Sequence, residues 1–205
     1  MESFEVNKDE LKGIIQEFEF DEVIETGTHV GTGSTKIFAL TDKPVFSIES
    51  STQFYNQAIE NLKLYENVTA INGYSLKWDD LFEYIFQYDD PDETENVDSK
   101  YHRNFYLREV LGFGNGSPKL LPDNLLPKMI SNDRKQLIFL DSAGGVGYLE
   151  FLTVISLIPT PKTSNKILLL DDCTHIKHRQ SVQYLKDHKY EVHESPSKRM
   201  AWVKL

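Results

Sequence analysis

Apolar runs that end in polar or acidic residues alternate along this chain with segments in which apolar residues recur every three or four positions. The runs lie at 23–24, 44–50, 68–71, 136–145 and 166–178, and the helical spacing lies at 7–19 and 52–65. Consecutive apolar positions are typical of parallel strands buried on both faces. Strands that alternate with helices predict a parallel sheet covered by helices on both faces.

Both predicted helices have one apolar stripe. In 7–19 the stripe is Leu11, Ile14, Ile15 and Phe18, and in 52–65 it is Phe54, Ala58, Ile59, Leu62 and Tyr65. Asn7 is a suitable N-cap for the first helix, which we expect to cover one sheet face ahead of the first strand.

The C-terminal segment predicts a β-hairpin. Residues 190–195 and 200–205 have strand character, and Pro196 and Ser197 lie in the turn between them. A purely doubly wound fold would have a crossover helix here, because parallel strands need a long connection. We therefore expect a mostly parallel sheet that ends in an antiparallel hairpin.

Residues 76–134 interrupt this alternation and form an insert in an otherwise single domain of residues 1–205. Within it, 88–100 is acidic and nearly free of apolar residues, which predicts a mobile loop. Residues 112–127 are rich in glycine and proline, so we expect no regular structure there. An excursion of this length either shapes a substrate pocket or serves as a contact in a homodimer.

The segment 21–35 carries the clearest chemical signal. Its strand leads through Glu25 into a turn with Gly27, Gly31 and Gly33. The spacing matches neither the dinucleotide fingerprint nor the phosphate-binding loop that ends in Lys and Ser or Thr. Glycines let the backbone approach a ligand, so the segment predicts a cofactor loop; a tight turn without a ligand is the alternative.

This loop resembles the first motif of class I S-adenosylmethionine-dependent methyltransferases, in the branch that begins E-T-G-T and ends G-x-[ST]-[ST]. Two later segments resemble the same family, namely L-D followed by small residues in 136–145 and L-L-D-D followed by H-x-K-H in 166–178. The resemblance spans residues 20–205 apart from the insert. It implies a Rossmann-like methyltransferase fold, with a seven-stranded, mostly parallel sheet and a C-terminal antiparallel hairpin.

The resemblance also implies an S-adenosylmethionine site. Glu49 follows Glu25 by 24 residues, close to the offset at which doubly wound folds place an acid for ribose hydroxyls; a solvated acid at a strand end is the alternative. Asn72 and Gly73 match the adenine position, where Ser75 is a further candidate. The full predicted cofactor set is Glu25, Thr26, Gly27, Thr28, Gly31, Gly33, Ser34, Glu49, Ser50, Asn72, Gly73 and Asp141.

Three acids at the ends of the predicted fourth and fifth strands indicate a metal site. Asp141, Asp171 and Asp172 would repel one another unless they were protonated or neutralised by a cation, and carboxylate oxygens suit Mg²⁺, Mn²⁺ or Ca²⁺. Metal-dependent small-molecule O-methyltransferases, which the sequence resembles in layout, place acids at these strand ends. In the alternative, Asp171 caps the following loop, while Asp172 and His175 are solvated.

Asp141 and His175 are the predicted catalytic residues. His175 is either a further metal ligand or the general base that removes the proton of an acceptor hydroxyl. One departure from the family is that residues 142–145 are Ser, Ala, Gly and Gly, where active branches often have an acid or a histidine.

Charge and composition limit the classes of partner that we expect for this chain. The formal net charge of −10 argues against nucleic acid, which is bound largely through Lys and Arg, so we expect a small-molecule acceptor. The basic residues that do cluster are expected either to hold an anionic substrate group or to form a solvated helix start; they are His175, Lys177, His178 and Arg179. No long apolar run or secretion signal is present, which predicts a soluble cytoplasmic protein. The single cysteine, Cys173, excludes an internal disulfide and is expected to be packed.

Three functions remain open. The first is methylation of a hydroxyl on a sugar or another small metabolite. The second is a cofactor-binding module without catalysis. The third is a metal-dependent enzyme of another class, such as a hydrolase, that uses Asp141, Asp171, Asp172 and His175.

Overall fold

The computed structural model describes residues 7–81, 121–142, 146–158, 165–174 and 177–205 of the 205-residue chain. The predicted catalytic residue His175 and the acidic stretch 88–100 lie outside the described residues.

Helices and strands alternate as the hydrophobic pattern predicts. The helices are α1 (Lys8–Gln16), α2 (Ser34–Ala39), α3 (Thr52–Leu62), α4 (Leu125–Met129), α5 (Val146–Leu157) and α6 (Arg179–Asp187). The strands are β1 (Glu22–Thr26), β2 (Val45–Glu49), β3 (Val68–Asn72), β4 (Gln136–Leu140), β5 (Lys166–Leu170), β6 (His193–Glu194) and β7 (Ala201–Lys204). Residues 78–81 are also helical.

In the described part of the chain, one seven-stranded sheet has the order β3-β2-β1-β4-β5-β7-β6. Strands β1 to β5 are parallel, and β7 runs antiparallel to both β5 and β6. The register places Glu49 opposite Asn72, and Thr26 opposite Leu140. The predicted mostly parallel sheet with a C-terminal antiparallel hairpin is confirmed.

The two faces of the sheet bury two separate clusters of apolar side chains. On β4, Ile138 and Leu140 belong to the cluster that includes Phe151 of α5 and Leu185 of α6. The neighbouring positions Leu137 and Phe139 belong to the cluster with residues of α1 and α2. Because successive side chains of a strand point to opposite faces, a continuous apolar run is required to fill both layers. None of the helices in the described ranges combines the length and the apolar character needed to cross a bilayer.

Two predicted helix ends differ from the structure, and one predicted irregular segment is partly helical. Helix α1 covers 8–16 of the predicted 7–19, and Asn7 caps it by accepting a hydrogen bond from the Glu10 amide. Helix α3 ends at Leu62 rather than at residue 65. Helix α4 lies in the stretch that was expected to lack regular structure, because Leu126 is fully buried in the core and its amide bonds to the Ser75 carbonyl. Tertiary packing here outweighs the local glycine and proline content.

Candidate functional site

The loops that follow β1 to β4 meet at the carboxyl edge of the sheet. The Gly27 amide bonds to the Ile48 carbonyl at 3.0 Å, and the Gly73 amide bonds to the Glu49 carbonyl at 3.0 Å. The Asp141 amide bonds to the Thr26 carbonyl at 3.2 Å. The structure therefore brings the strand-end residues predicted from the sequence to one edge, where open α/β sheets bind ligands.

The loop 27–33 between β1 and α2 requires glycine at two positions. The backbone φ is +86° at Gly27 and +74° at Gly31, and it is +51° at His29. A β-carbon at Gly27 would lie 2.5 Å from the Asp141 carbonyl oxygen, and one at Gly31 would lie 2.7 Å from Leu62. A β-carbon at Gly33 would meet no described protein atom within 4 Å, so the loop packs tightly at two glycines and faces open space at the third.

Glu25 is fully buried under this loop. Its carboxylate accepts hydrogen bonds from the Ser34 hydroxyl and, at 2.6 Å, from the Ser47 hydroxyl. The Thr28 and Ser47 hydroxyls are also paired at 2.6 Å. Burial raises the pKa of Glu25, and its hydroxyl donors oppose that rise. Glu25 thus ties the end of β1 to β2 and α2, while its predicted contact with the cofactor stays a prediction.

Glu49 is held by the backbone around it. One of its carboxylate oxygens accepts the His29 amide at 2.7 Å, and the other accepts the Ser51 amide at 2.7 Å. The His29 ring packs edge-on against Phe54, with 4.3 Å between the ring centroids. These contacts fix the orientation of the Glu49 carboxylate beside the glycine loop.

The residues predicted for adenine have partners within the protein. The Asn72 amide group donates to the Glu49 carbonyl at 2.8 Å and accepts from the Thr52 hydroxyl at 2.9 Å. A β-carbon at Gly73 would lie 2.6 Å from the Pro122 carbonyl oxygen, so this glycine packs against the insert. Ser50 follows β2 and is partly buried. The adenine assignment stays a prediction.

Glu150 is a buried residue of this edge to which sequence reasoning assigned no role. The Thr26 hydroxyl donates to its carboxylate at 2.8 Å, the Ser142 hydroxyl does so at 2.7 Å, and Ser75 is a further hydrogen-bonding partner. Burial raises the pKa of Glu150, and these hydrogen bonds oppose the rise. An acid within the otherwise uncharged helix α5 was the available signal, since buried acids need partners. Glu150 joins the ends of β1 and β4 to the segment that follows β3.

The three predicted metal ligands do lie together. Asp141, Asp171 and Asp172 each offer a carboxylate oxygen, and the three oxygens lie within 4.8 Å of one another. Two cationic side chains pair with them. The Lys177 ammonium lies 2.6 Å from an Asp141 oxygen and 2.9 Å from an Asp172 oxygen. The Arg199 guanidinium lies 3.1 Å from Asp171 and 3.0 Å from Asp172.

Burial and the neighbouring charges shift the pKa values of Asp141 and Lys177. Burial raises the pKa of Asp141 to about 7; Lys177 opposes the rise and the neighbouring aspartates add to it. Burial alone would lower the pKa of Lys177, but the surrounding carboxylates outweigh burial and raise it. Lys177 therefore stays charged, while Asp141 exchanges its proton near neutral pH, which suits a group that accepts a proton from a hydroxyl.

The described basic residues after β5 do not form one solvated helix start, because two are buried and one is exposed. His178 is fully buried, with Nε2 lying 3.1 Å from the Leu140 carbonyl oxygen and Nδ1 lying 3.1 Å from the Ser181 hydroxyl. Burial lowers the pKa of His178 to about 3, so its ring is neutral and cannot bind an anionic substrate group by charge. Lys177 is also buried, whereas Arg179 is exposed.

Comparison with known structures assigns the fold. The chain matches a putative caffeoyl-CoA O-methyltransferase from Staphylococcus aureus with a TM-score of 0.56 and 16% identity, over 97% of this chain and 82% of the other. It matches an O-methyltransferase from Bacillus cereus in complex with S-adenosylhomocysteine (SAH) with a TM-score of 0.51 and 15% identity, over 97% and 80%. A putative rRNA-methylase from Clostridium thermocellum gives a TM-score of 0.50 and 13% identity, over 98% of each chain.

The fold is thus the Rossmann-like fold of the methyltransferases that it matches, as the sequence motifs indicated. No protein-family model matches the sequence, and no curated protein matches it either. At these identities the structural likeness establishes the fold, and the activity has to be argued from the site.

Proposed function

We propose that this protein is an S-adenosylmethionine-dependent methyltransferase that methylates a hydroxyl group of a small molecule. The observation that carries the proposal is the arrangement of Glu49 beside the loop 27–33. The backbone amides of His29 and Ser51 fix this carboxylate at the ligand edge of a methyltransferase fold. The Bacillus cereus neighbour, which was solved with SAH, supports the same ligand class for this chain.

The residues at this edge suit the parts of such a cofactor. Glu49 is an acceptor for ribose hydroxyls, because a carboxylate accepts two hydrogen bonds from a vicinal diol. Gly27 and Gly31 hold the loop in a conformation that most other residues reach only with strain, and Gly33 leaves space beside it. When bound, the cofactor supplies a methyl group activated by a positively charged sulfur.

Asp141 and Lys177 are the residues that we assign to the acceptor. Asp141 lies directly after β4, and its pKa of about 7 lets it take up the proton that a hydroxyl loses as it is methylated. Lys177 lies beside it and attracts the developing negative charge on the acceptor oxygen. His175, which the sequence predicted as the general base or as a further metal ligand, lies outside the described residues.

A small acceptor fits the charge of the chain better than a nucleic acid does. The formal net charge is −10, and a polyanionic acceptor would meet strong repulsion. Of the three neighbours described above, one is named as a putative rRNA-methylase and two are named as O-methyltransferases. A cytoplasmic location, and a role of the insert in a homodimer, stay as predictions from the sequence.

The proposal is tested by SAH titration of Glu49→Gln in a calorimeter. We expect the affinity to fall by about 10- to 100-fold, because a hydrogen bond to a charged group contributes roughly 1.5–3 kcal/mol.

The matched control is Glu22→Gln, which changes a buried carboxylate at the opposite edge of the sheet, where Glu22 pairs with Arg134 and Gln136. This variant should bind SAH with wild-type affinity. Equal affinities of all three proteins would show that the ribose assignment is wrong, and lack of SAH binding by the wild type would overturn the proposed cofactor.

A further inference from the structure

The Lys177 side chain lies between the carboxylates of Asp141 and Asp172. Lys177 Nζ lies 2.6 Å from Asp141 Oδ1 and 2.9 Å from Asp172 Oδ2, which are distances of charge-assisted hydrogen bonds. The lysine side chain is only 11% exposed, so the ammonium group is held inside the cluster rather than at its rim.

Arg199 neutralises the other side of the same cluster. Its Nε and Nη2 donate to the two oxygens of Asp171 at 3.1 and 3.2 Å, which is the paired geometry that guanidinium and carboxylate groups favour. Nη2 also lies 3.0 Å from Asp172. Each of the three carboxylates therefore has a cationic partner from the chain itself.

A divalent ion does not fit this arrangement. Magnesium binds carboxylate oxygens at about 2.0–2.1 Å and calcium at about 2.3–2.6 Å, so either ion would have to bind the same carboxylates that Lys177 and Arg199 now hold. The Lys177 ammonium group and a divalent cation bound to the same carboxylates would also repel each other in this buried site. A metal could enter only if Lys177 moved out and left its positive charge without these partners.

We infer that Lys177 is the built-in cation of this site and stands in place of a divalent metal, positioning the acceptor hydroxyl beside Asp141. The ammonium group has three donors, and two of them bond to Asp141 and Asp172. The remaining contact within the described residues is a long one, 3.5 Å to the Asp141 carbonyl oxygen, which an acceptor oxygen can replace. The positioning role rests on the proposed function, whereas the exclusion of a metal does not.

Manganese binding to the full chain, followed by electron paramagnetic resonance of free Mn²⁺, tests this inference. The wild type should bind no stoichiometric Mn²⁺. Lys177→Met removes the charge and keeps a side chain of similar length, so it should bind Mn²⁺ at least about tenfold more tightly than the wild type, because the carboxylates then lack a cation.

The double variant Lys177→Met with Asp141→Asn is the matched control. It removes one negative and one positive charge together, so it should fold at least as well as the single variant and lose the gained Mn²⁺ affinity. Folding of all variants is checked by circular dichroism.

Two results would overturn the inference. One is stoichiometric Mn²⁺ binding by the wild type that Asp141→Asn abolishes, which needs no lysine variant. The other is a folded Lys177→Met protein that binds Mn²⁺ no better than the wild type. SAH titration of the same samples separates the two proposals, since a wild type that binds neither SAH nor Mn²⁺ would contradict the proposed function alone.

Discussion

Each of four buried ionisable side chains at the carboxyl edge of the sheet has hydrogen-bonding or charged partners. Glu25 and Glu150 are surrounded by hydroxyl donors, and burial raises the pKa of both. Asp141 is paired with a lysine, whereas His178 lies between a carbonyl oxygen and a hydroxyl and is neutral. The protonation state of each of these side chains therefore depends on its own contacts, and single substitutions can test it.

His178 gives a pH-dependent prediction. Its pKa is about 3 in the folded protein and near 6.5 when unfolded, so the unfolded state binds one more proton between these values. Stability should therefore fall as the pH drops from about 6.5 towards 3. In His178→Asn, the slope of the free energy of unfolding between pH 4 and 6 should change by roughly 1.4 kcal/mol per pH unit, measured by urea denaturation. Identical slopes in the two proteins would contradict a buried neutral histidine.

Glu150 gives a prediction on stability. Glu150→Ala leaves the hydroxyls of Thr26 and Ser142 without their buried acceptor, which should lower the free energy of unfolding by about 2–4 kcal/mol. Glu150→Gln keeps an acceptor oxygen and should cost less. Denaturant unfolding of both variants measures the difference, and an alanine variant as stable as the wild type would show that these bonds contribute little.

The β1–α2 loop is the element in which sequence and structure agree most closely. Its glycine spacing predicted either a backbone that approaches a ligand or a tight turn without one. In the structure Gly27 packs against the residue that follows β4 and Gly31 packs against α3, while contact with a ligand stays a prediction. The sequence did not show what lies beneath the loop. Hydrogen bonds from Ser34 and Ser47 to Glu25 depend on how β2 and α2 pack, which a local pattern does not encode.

Gly27→Ala tests this loop. The backbone φ of +86° and the contact with the Asp141 carbonyl oxygen should together lower the free energy of unfolding by about 2 kcal/mol or more, and should weaken SAH binding.

Gly13→Ala is the matched control for this variant. Gly13 lies within α1, a β-carbon there would meet no described atom within 4 Å, and alanine should stabilise the helix by about 0.5–1 kcal/mol. Thermal unfolding monitored by circular dichroism measures both changes. Equal stability of Gly27→Ala and the wild type would mean that the loop accommodates a β-carbon.

Across the whole molecule, the sequence predicted the sheet well because the buried parallel strands are continuous apolar runs. The terminal hairpin was also predicted, since its turn is marked by Pro196 and Ser197. The pairing of Lys177 with Asp141 was not foreseen, because these residues are 36 positions apart and come together only when β4 and β5 align. The sequence predicted that the three acids are either protonated or neutralised by a cation, with a metal as one candidate. The fold supplies two cations of its own, Lys177 and Arg199.

The proposed function requires this edge of the sheet to bind S-adenosylmethionine. Calorimetric titration of the wild-type protein with SAH, with NAD as the comparison ligand, tests this binding. We predict one binding site for SAH with micromolar affinity, no change on adding Mg²⁺, and no binding of NAD. A folded protein that gives no heat with SAH, or that binds NAD equally well, would contradict the proposed cofactor.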